Sequence, residues 1–268
     1  MSNLISSPKG EPAKKSAQHL KNILKATKLN FVINKAMNFM PSPIQRWAVS
    51  MGARRELVPI DRLTTCYSTA LQTLQGTRGT AAFGDYLEFG VYQGSSMSCF
   101  YAASLALKLK HLRMFGFDSF EGMPPQALGE DENVWRPGEF HSSLDYTTAY
   151  LIHKGVDMDR AILIKGWFED TCNETTVLRY SIAKASIIMI DCDLYSSAKV
   201  ALAFCQPFIK DEVIIFFDDW HSYQLADKNL GERKAFDEFL QANRHLEAEE
   251  HVELSYGETS TAFRVRVR

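Results

Sequence analysis

Two apolar runs that each end in acid constrain this chain more than any other feature. Ile187-Ile188-Met189-Ile190 leads into Asp191-Cys192-Asp193, and Val213-Ile214-Ile215-Phe216-Phe217 leads into Asp218-Asp219. A β-branched and aromatic run without polar alternation reads as a strand buried on both faces, the condition of a parallel sheet covered by helices. In such sheets ligands collect beyond the carboxyl ends of the strands. Acids just past two neighbouring strands can converge on one hard cation, which takes oxygen ligands and keeps water in its other positions. Magnesium is the expected ion. Each acid taken alone has a second reading: Asp193, Ser196 and Ser197 can cap a helix starting near Ala198, and Asp218 or Asp219 a turn before His221.

The rest of the chain supports an α/β reading. Strands are expected at Asp85–Phe89, Leu112–Phe117, Ala161–Lys165, Ser186–Ile190 and Val213–Phe217. Helical segments separate them, around Ser96–Lys110, Ser143–Lys154, Thr171–Tyr180 and Ser196–Gln206, the last stopped by Pro207. This alternation predicts a parallel, doubly wound sheet. At the end, His251–Tyr256 and Thr261–Val267 alternate in polarity around Gly257 and predict an antiparallel hairpin. Upstream, residues 1–16 read as a flexible tail and residues 17–80 as an N-terminal helical arm, with a helix near Asp61–Leu74 capped by Asp61 and a loop over Gly76–Gly84. The main domain is then 81–268.

With 46% hydrophobic and 23% charged residues in 268, the chain can bury one substantial core. Charge is unevenly placed: the first forty residues carry seven lysines against a single acid, Glu11, so the body is acidic. Nucleic acid is therefore not an expected partner. The basic helical pattern around Ala17–Met40 fits an accessory helix packing on its own domain or a second subunit, and also an amphipathic helix on an anionic membrane. No stretch has the roughly 20 apolar residues of a transmembrane segment. Five cysteines, Cys66, Cys99, Cys172, Cys192 and Cys205, lack CxxC spacing and read as reduced thiols of a cytoplasmic protein.

Two further features bear on chemistry. Gly90 and Gly94 lie between the first strand and its helix in Glu88-Phe89-Gly90-Val91-Tyr92-Gln93-Gly94-Ser95-Ser96, where glycine permits a sharp turn and close ligand approach and the helix start offers free amides. Asp118 ends the second strand, where nucleotide-binding α/β folds place an acid for both ribose hydroxyls; capping the following turn is its other reading. Together with the later acids, these features fit an adenosine cofactor beside a metal.

In its ordered motifs the sequence resembles the macrocin O-methyltransferase (TylF/MycF) family of class I S-adenosylmethionine-dependent methyltransferases. The matching segments are Gly84–Gly94, Phe117–Pro124, Gly166-Trp167-Phe168-Glu169-Asp170-Thr171, Ile190–Ser197 and Asp218-Asp219-Trp220. The resemblance implies a Rossmann-like, mostly parallel seven-stranded sheet with a C-terminal antiparallel hairpin. It implies that Glu88, Gly90, Tyr92, Gly94 and Ser96 surround the methionine part of S-adenosylmethionine, that Asp118 and Ser119 lie at the ribose, and that Trp167 and Phe168 lie near the adenine. Asp191, Asp218 and Asp219 are the implied Mg2+ ligands, with Asp191 also reaching the cofactor and the reaction. The family usually has Gly where this chain has Cys192, which leaves the orientation of Asp193 open. A homodimer is expected from the family.

The implied reaction is methylation of a sugar hydroxyl, probed by three candidate bases: Asp193, His141 and His221. His141, preferred among them, ends a long connection, Met123–Ser142, that also carries Glu130, Asp131, Trp135 and Phe140 and reads as a lid. Its Trp135 and Phe140 fit stacking on a sugar and also pinning the loop to the core. Two other chemistries share these residues: methylation of a phenol or amine, and a nucleotide-sugar glycosyltransferase in which Asp191-Cys192-Asp193 holds a metal against a diphosphate.

Overall fold

Side chains along the central strands point alternately to opposite faces of one sheet, and the two sets form separate buried cores. A computed structural model describes residues 43–44, 57–78 and 83–268. Its strands are β1 (Asp85–Phe89), β2 (Met114–Asp118), β3 (Ala161–Lys165), β4 (Ala185–Ile190), β5 (Glu212–Phe217), β6 (Leu246–Glu250) and β7 (Thr261–Val267). They pair in the order β3-β2-β1-β4-β5-β7-β6, parallel except where β7 pairs with β5 and β6. Tyr86, Ile187, Met189, Ile214 and Phe216 point to one core; Leu87, Phe89, Ile188, Ile190, Ile215 and Phe217 point to the other. The uniformly apolar β4 and β5 runs follow from burial on both faces.

The helices are α1 (Ile60–Arg78), α2 (Ser95–Ala106), α3 (Leu144–His153), α4 (Phe168–Thr171), α5 (Glu174–Tyr180), α6 (Tyr195–Cys205) and α7 (Gly231–Ala242). Leu63, Tyr67 and Leu71 of α1 are fully buried in the same core as β1 and α2, so this part of the N-terminal arm is built into the fold. No helix among the described residues is long and apolar enough to cross a membrane. The basic pattern at Ala17–Met40 lies outside the described residues.

Several expectations are corrected. The terminal hairpin uses β6 at Leu246–Glu250, and His251–Tyr256 instead forms a short 3-10 turn and the return toward β7. β6 is an edge strand whose exposed Glu247, Glu249 and Glu250 obscure a strand pattern while discouraging further pairing. α1 starts before Asp61 and runs through Gly76 to Arg78, so Asp61 lies in the first turn and the expected loop is shorter. The helix expected from Thr171 divides at Cys172-Asn173, where the Asn173 side chain accepts from the Thr176 amide and caps α5. α7, absent from the sequence reading, buries Ala235, Phe236 and Phe239.

Strand register decides where the site forms. Phe117, Phe89, Ile190 and Phe217 lie in one row across β2, β1, β4 and β5. The next residue along each strand is Asp118, Gly90, Asp191 or Asp218. Gly90 must be glycine: its φ is +92°, and a Cβ there would sit 1.7 Å from the Asp191 carbonyl oxygen. At Gly129, φ is +105° but nothing lies within 4 Å. Gly90→Ala is therefore expected to destabilise the fold by at least about 3 kcal/mol more than Gly129→Ala, measured by urea denaturation, because strain is joined by a backbone clash. Equal losses would show that the β1 and β4 ends can separate without cost.

Candidate active site

The residues following that row converge on a cleft. On one side, Val91, Tyr92, Gln93, Ser95 and Ser96 form the turn from β1 into α2; on the other stand Asp191, Asp193, Asp218 and Asp219. Asp118, Ser119, Trp167 and Phe168 complete the side nearest β2 and β3. Asp118 Oδ2 accepts from the Val91 and Tyr92 amides at 2.8 Å each, and Oδ1 accepts from Phe120 N at 2.6 Å. Burial pushes its carboxyl up, against the pull of these donors. A carboxylate offers about four lone-pair positions, so Asp118 has one left for a ligand, not the two expected for both ribose hydroxyls.

Glu88 and Gly94 are not among the cleft-lining residues. Glu88 is fully buried behind the turn, where Tyr86 Oη donates to its Oε2 at 2.7 Å; Oε1 has no partner among the described residues. Tyr67 from α1 reaches the same place, 2.7 Å from Ser96 Oγ and 3.0 Å from Tyr86 Oη. Burial, with smaller repulsion from Asp118 and Asp218, raises the Glu88 carboxyl to about 8. Gln93 is also buried, and neither atom of its amide has a partner among the described residues.

The acids form a dense group. Carboxylate oxygens of Asp191, Asp218 and Asp219 lie within 4.8 Å of one another, a separation that three ligands of one ion can share. Tyr256 Oη donates to Asp218 Oδ1, and Ser222 Oγ donates to Asp219 Oδ1 at 2.7 Å. Burial first, then mutual repulsion, raises all of Asp191, Asp193 and Asp218, the last to about 7. Asp193 sits at φ +64° in the turn after β4 and pairs its carboxyl with that of Asp219. Glu232, at the start of α7, is 1% exposed and accepts from Asp219 N at 3.1 Å.

Of the three candidate bases, Asp193 alone lines the cleft. His221 is exposed, with its amide donating to Thr259 O at 2.8 Å. His141 is half-buried beside the cleft, and its neighbour Phe140 lines it. Trp135 is 4% exposed, packed near Met123, Ala127 and Leu194 and edge-on to Tyr223 at 5.0 Å, so it pins its loop. The sequence reading missed Tyr67, Gln93, Glu232 and Tyr256. The Ala235/Phe236/Phe239 spacing marks α7 as a helix, but no local pattern aims Glu232 or Tyr256 at acids distant in the chain.

The sheet order and the cleft at its parallel strand ends define a class I methyltransferase fold. Among solved structures it is similar to the O-methyltransferase NovP (TM-score 0.62, 17% identity, covering 78% of this chain and 79% of that one). It is likewise similar to CalS11, a calicheamicin methyltransferase (TM-score 0.61, 19% identity, 97% and 99% covered). The macrocin O-methyltransferase (TylF) family model matches residues 41–252, and the chain belongs to that family. A curated relative from Streptomyces olivaceus, 8-demethyl-8-(2,3-dimethoxy-alpha-L-rhamnosyl)-tetracenomycin-C 4'-O-methyltransferase, is 28% identical over 169 residues, 60% of this chain. The chain spans 59% of that relative's length.

The raised carboxyls have a consequence for stability. Glu88 ionises near 4.5 in an unfolded chain and near 8 in the fold, so the unfolded chain loses this proton first. The Glu88 contribution to folding without ligand therefore weakens as pH rises from about 4.5 to about 8 and then levels off; Asp218 acts in the same direction up to about 7. Glu88→Gln is expected to flatten the fall in melting temperature between pH 5 and pH 8. An unchanged slope would mean that Glu88 is ionised in the ligand-free fold.

Proposed function

We propose that this protein is an S-adenosylmethionine-dependent O-methyltransferase that acts on a sugar hydroxyl of a small molecule or glycosylated natural product, with Mg2+ at Asp191, Asp218 and Asp219. The observation that carries this reading is the juxtaposition in one cleft of the β1–α2 turn and the acids following β4 and β5. Family membership supports the reaction class, and the rhamnosyl substrate in the relative's name supports a sugar acceptor.

In this reading the cofactor's methionine end lies along Gly90, Tyr92 and Ser96. Asp118 accepts one ribose hydroxyl and Ser119 lies beside it, while Trp167 and Phe168 flank the adenine. Glu88 and Gly94 act from behind this surface, by supporting the turn. The acid triad offers hard oxygen donors, which suit magnesium. When bound, the ion would supply Lewis acidity that makes a sugar alcohol easier to deprotonate. Tyr256 and Ser222 hold Asp218 and Asp219 in fixed orientations. Asp193, the candidate base that lines the cleft, takes the hydroxyl proton in this reading when it is ionised and no longer shares a proton with Asp219. Phe140 and Met123 narrow the cleft on the side of the long loop.

A nucleotide-sugar diphosphate is a poorer fit. Among the described lining residues six are acids, Asp118, Glu169, Asp191, Asp193, Asp218 and Asp219, and none is Lys or Arg. The test is methyl transfer from labelled S-adenosylmethionine to sugar, phenol and amine acceptors, with and without a chelator. Turnover is expected on a vicinal diol, reduced on the order of 10³-fold by chelation and by Asp191→Ala or Asp218→Ala. Full activity in chelator would remove magnesium from the reading, and transfer only to amines or phenols would remove the sugar.

A further inference from the structure

We infer that Glu232 is a positioning residue for the metal ligands, fixing the separation of the two acid-bearing turns by accepting a backbone amide from each. This rests on the reading of Asp191, Asp218 and Asp219 as a metal site. The two turns follow neighbouring paired strands, where Asp218 N donates to Ile190 O at 3.0 Å and the Asp193 and Asp219 carboxyls meet; Glu232 adds a tie between their backbones beyond the strand ends. Asp191 and Cys192 follow β4; Asp218 and Asp219 follow β5. Glu232 Oε2 accepts from the Asp219 amide at 3.1 Å, and the Cys192 amide also donates to this carboxylate. One side chain thus ties together the backbones that carry the three ligands.

The anchor is itself held. Gly231, the first residue of α7, donates its amide to Asp131 Oδ1 at 2.9 Å, while Ala235, Phe236 and Phe239 bury the helix in the core. Glu232 is not among the cleft-lining residues, so its action is through the turns and not on substrate. Stability alone does not account for a glutamate here. Its Oε1 is buried without a partner among the described residues, next to four other acids, and a buried carboxylate so placed costs more than an apolar side chain of the same size. Its tie to the Cys192 amide also fixes the turn between Asp191 and Asp193.

The role separates into two parts, acceptance of amides and negative charge, which two substitutions distinguish. Glu232→Gln keeps an acceptor oxygen and loses the charge; Glu232→Met fills the same volume, loses both, and removes a buried acid, so the fold is expected to survive. Mn2+ alone is titrated into each protein, with the free ion followed by electron paramagnetic resonance. S-adenosylhomocysteine binding is read separately from the rise in melting temperature. Glu232→Met is expected to weaken Mn2+ binding by about tenfold or more, the usual effect of losing a hydrogen-bonded support behind metal ligands. Glu232→Gln is expected to stay within about threefold of the unsubstituted protein on the same scale, with S-adenosylhomocysteine binding preserved in both. Undiminished Mn2+ affinity in Glu232→Met, or equal losses in the two variants, would overturn the positioning role. An unsubstituted protein that binds S-adenosylhomocysteine but not Mn2+ would instead overturn the metal reading beneath it.

Discussion

Parallel pairing of β4 with β5 in register sets Asp191 beside Asp218, and the repulsion between them governs what surrounds them. Removing a carboxylate from water costs several kcal/mol even after relaxation. A hydrogen bond to a charged group returns only about 1.5–3 kcal/mol. The hydroxyls of Tyr256 and Ser222 and the amides around the turns therefore orient the acids without neutralising them. Protons or a cation must do the rest. Raised carboxyls and the Asp193–Asp219 pair are the proton solution, and close convergence of three oxygens is the geometry that admits the cation solution.

The long connection after β2 contributes to the same arrangement by its anchoring. Asp131 Oδ2 accepts from Tyr195 N at 2.9 Å, its Oδ1 from Gly231 N at 2.9 Å, and Glu130 Oε2 accepts from Ser196 N at 3.2 Å. The starts of α6 and α7 have free amides and a positive dipole end, which attract acids. Asp131, Glu132 and Asn133 adopt positive φ values of 42°, 59° and 59°, a conformation that disfavours side chains. The amide bonds at two helix starts, the Lys228–Glu132 ion pair and buried Trp135 oppose that strain. What reads as a lid in sequence is fastened at several points in the fold.

The features legible in the sequence were those written locally. Apolar runs such as Ile187–Ile190 announce strands buried on both faces, and the acids at their ends line the cleft at that side of the sheet. Asp118 was legible by its place after β2, though not the three amides that occupy it. β6 was hidden because an exposed edge strand needs only Leu246 buried and can fill its remaining positions with glutamates. His141 and His221 are candidate bases by residue type, yet neither lines the cleft; direction of a side chain depends on loop geometry that spacing does not encode. Tyr67, Glu232 and Tyr256 come from helices and turns far from the motifs and meet the site only through tertiary packing.

Tyr67 shows how far that packing extends. It belongs to α1, outside the strand–helix alternation, yet its ring packs edge-on against Phe216 of β5 at 5.0 Å and its hydroxyl reaches Ser96 at the cleft. Tyr86 stacks on Phe100 at 4.2 Å and donates to Glu88 from the adjoining position. Three hydroxyls thus share a small interior volume with one carboxyl, where the low dielectric strengthens every bond made and penalises every one missing. Displacing α1 would take the Tyr67 hydroxyl away from Tyr86 and from Ser96, which lines the cleft, leaving those two only each other and Glu88. The helical arm is consequently part of the wall supporting the β1–α2 turn, and the rigidity of that turn depends on residues on both sides of the expected domain boundary.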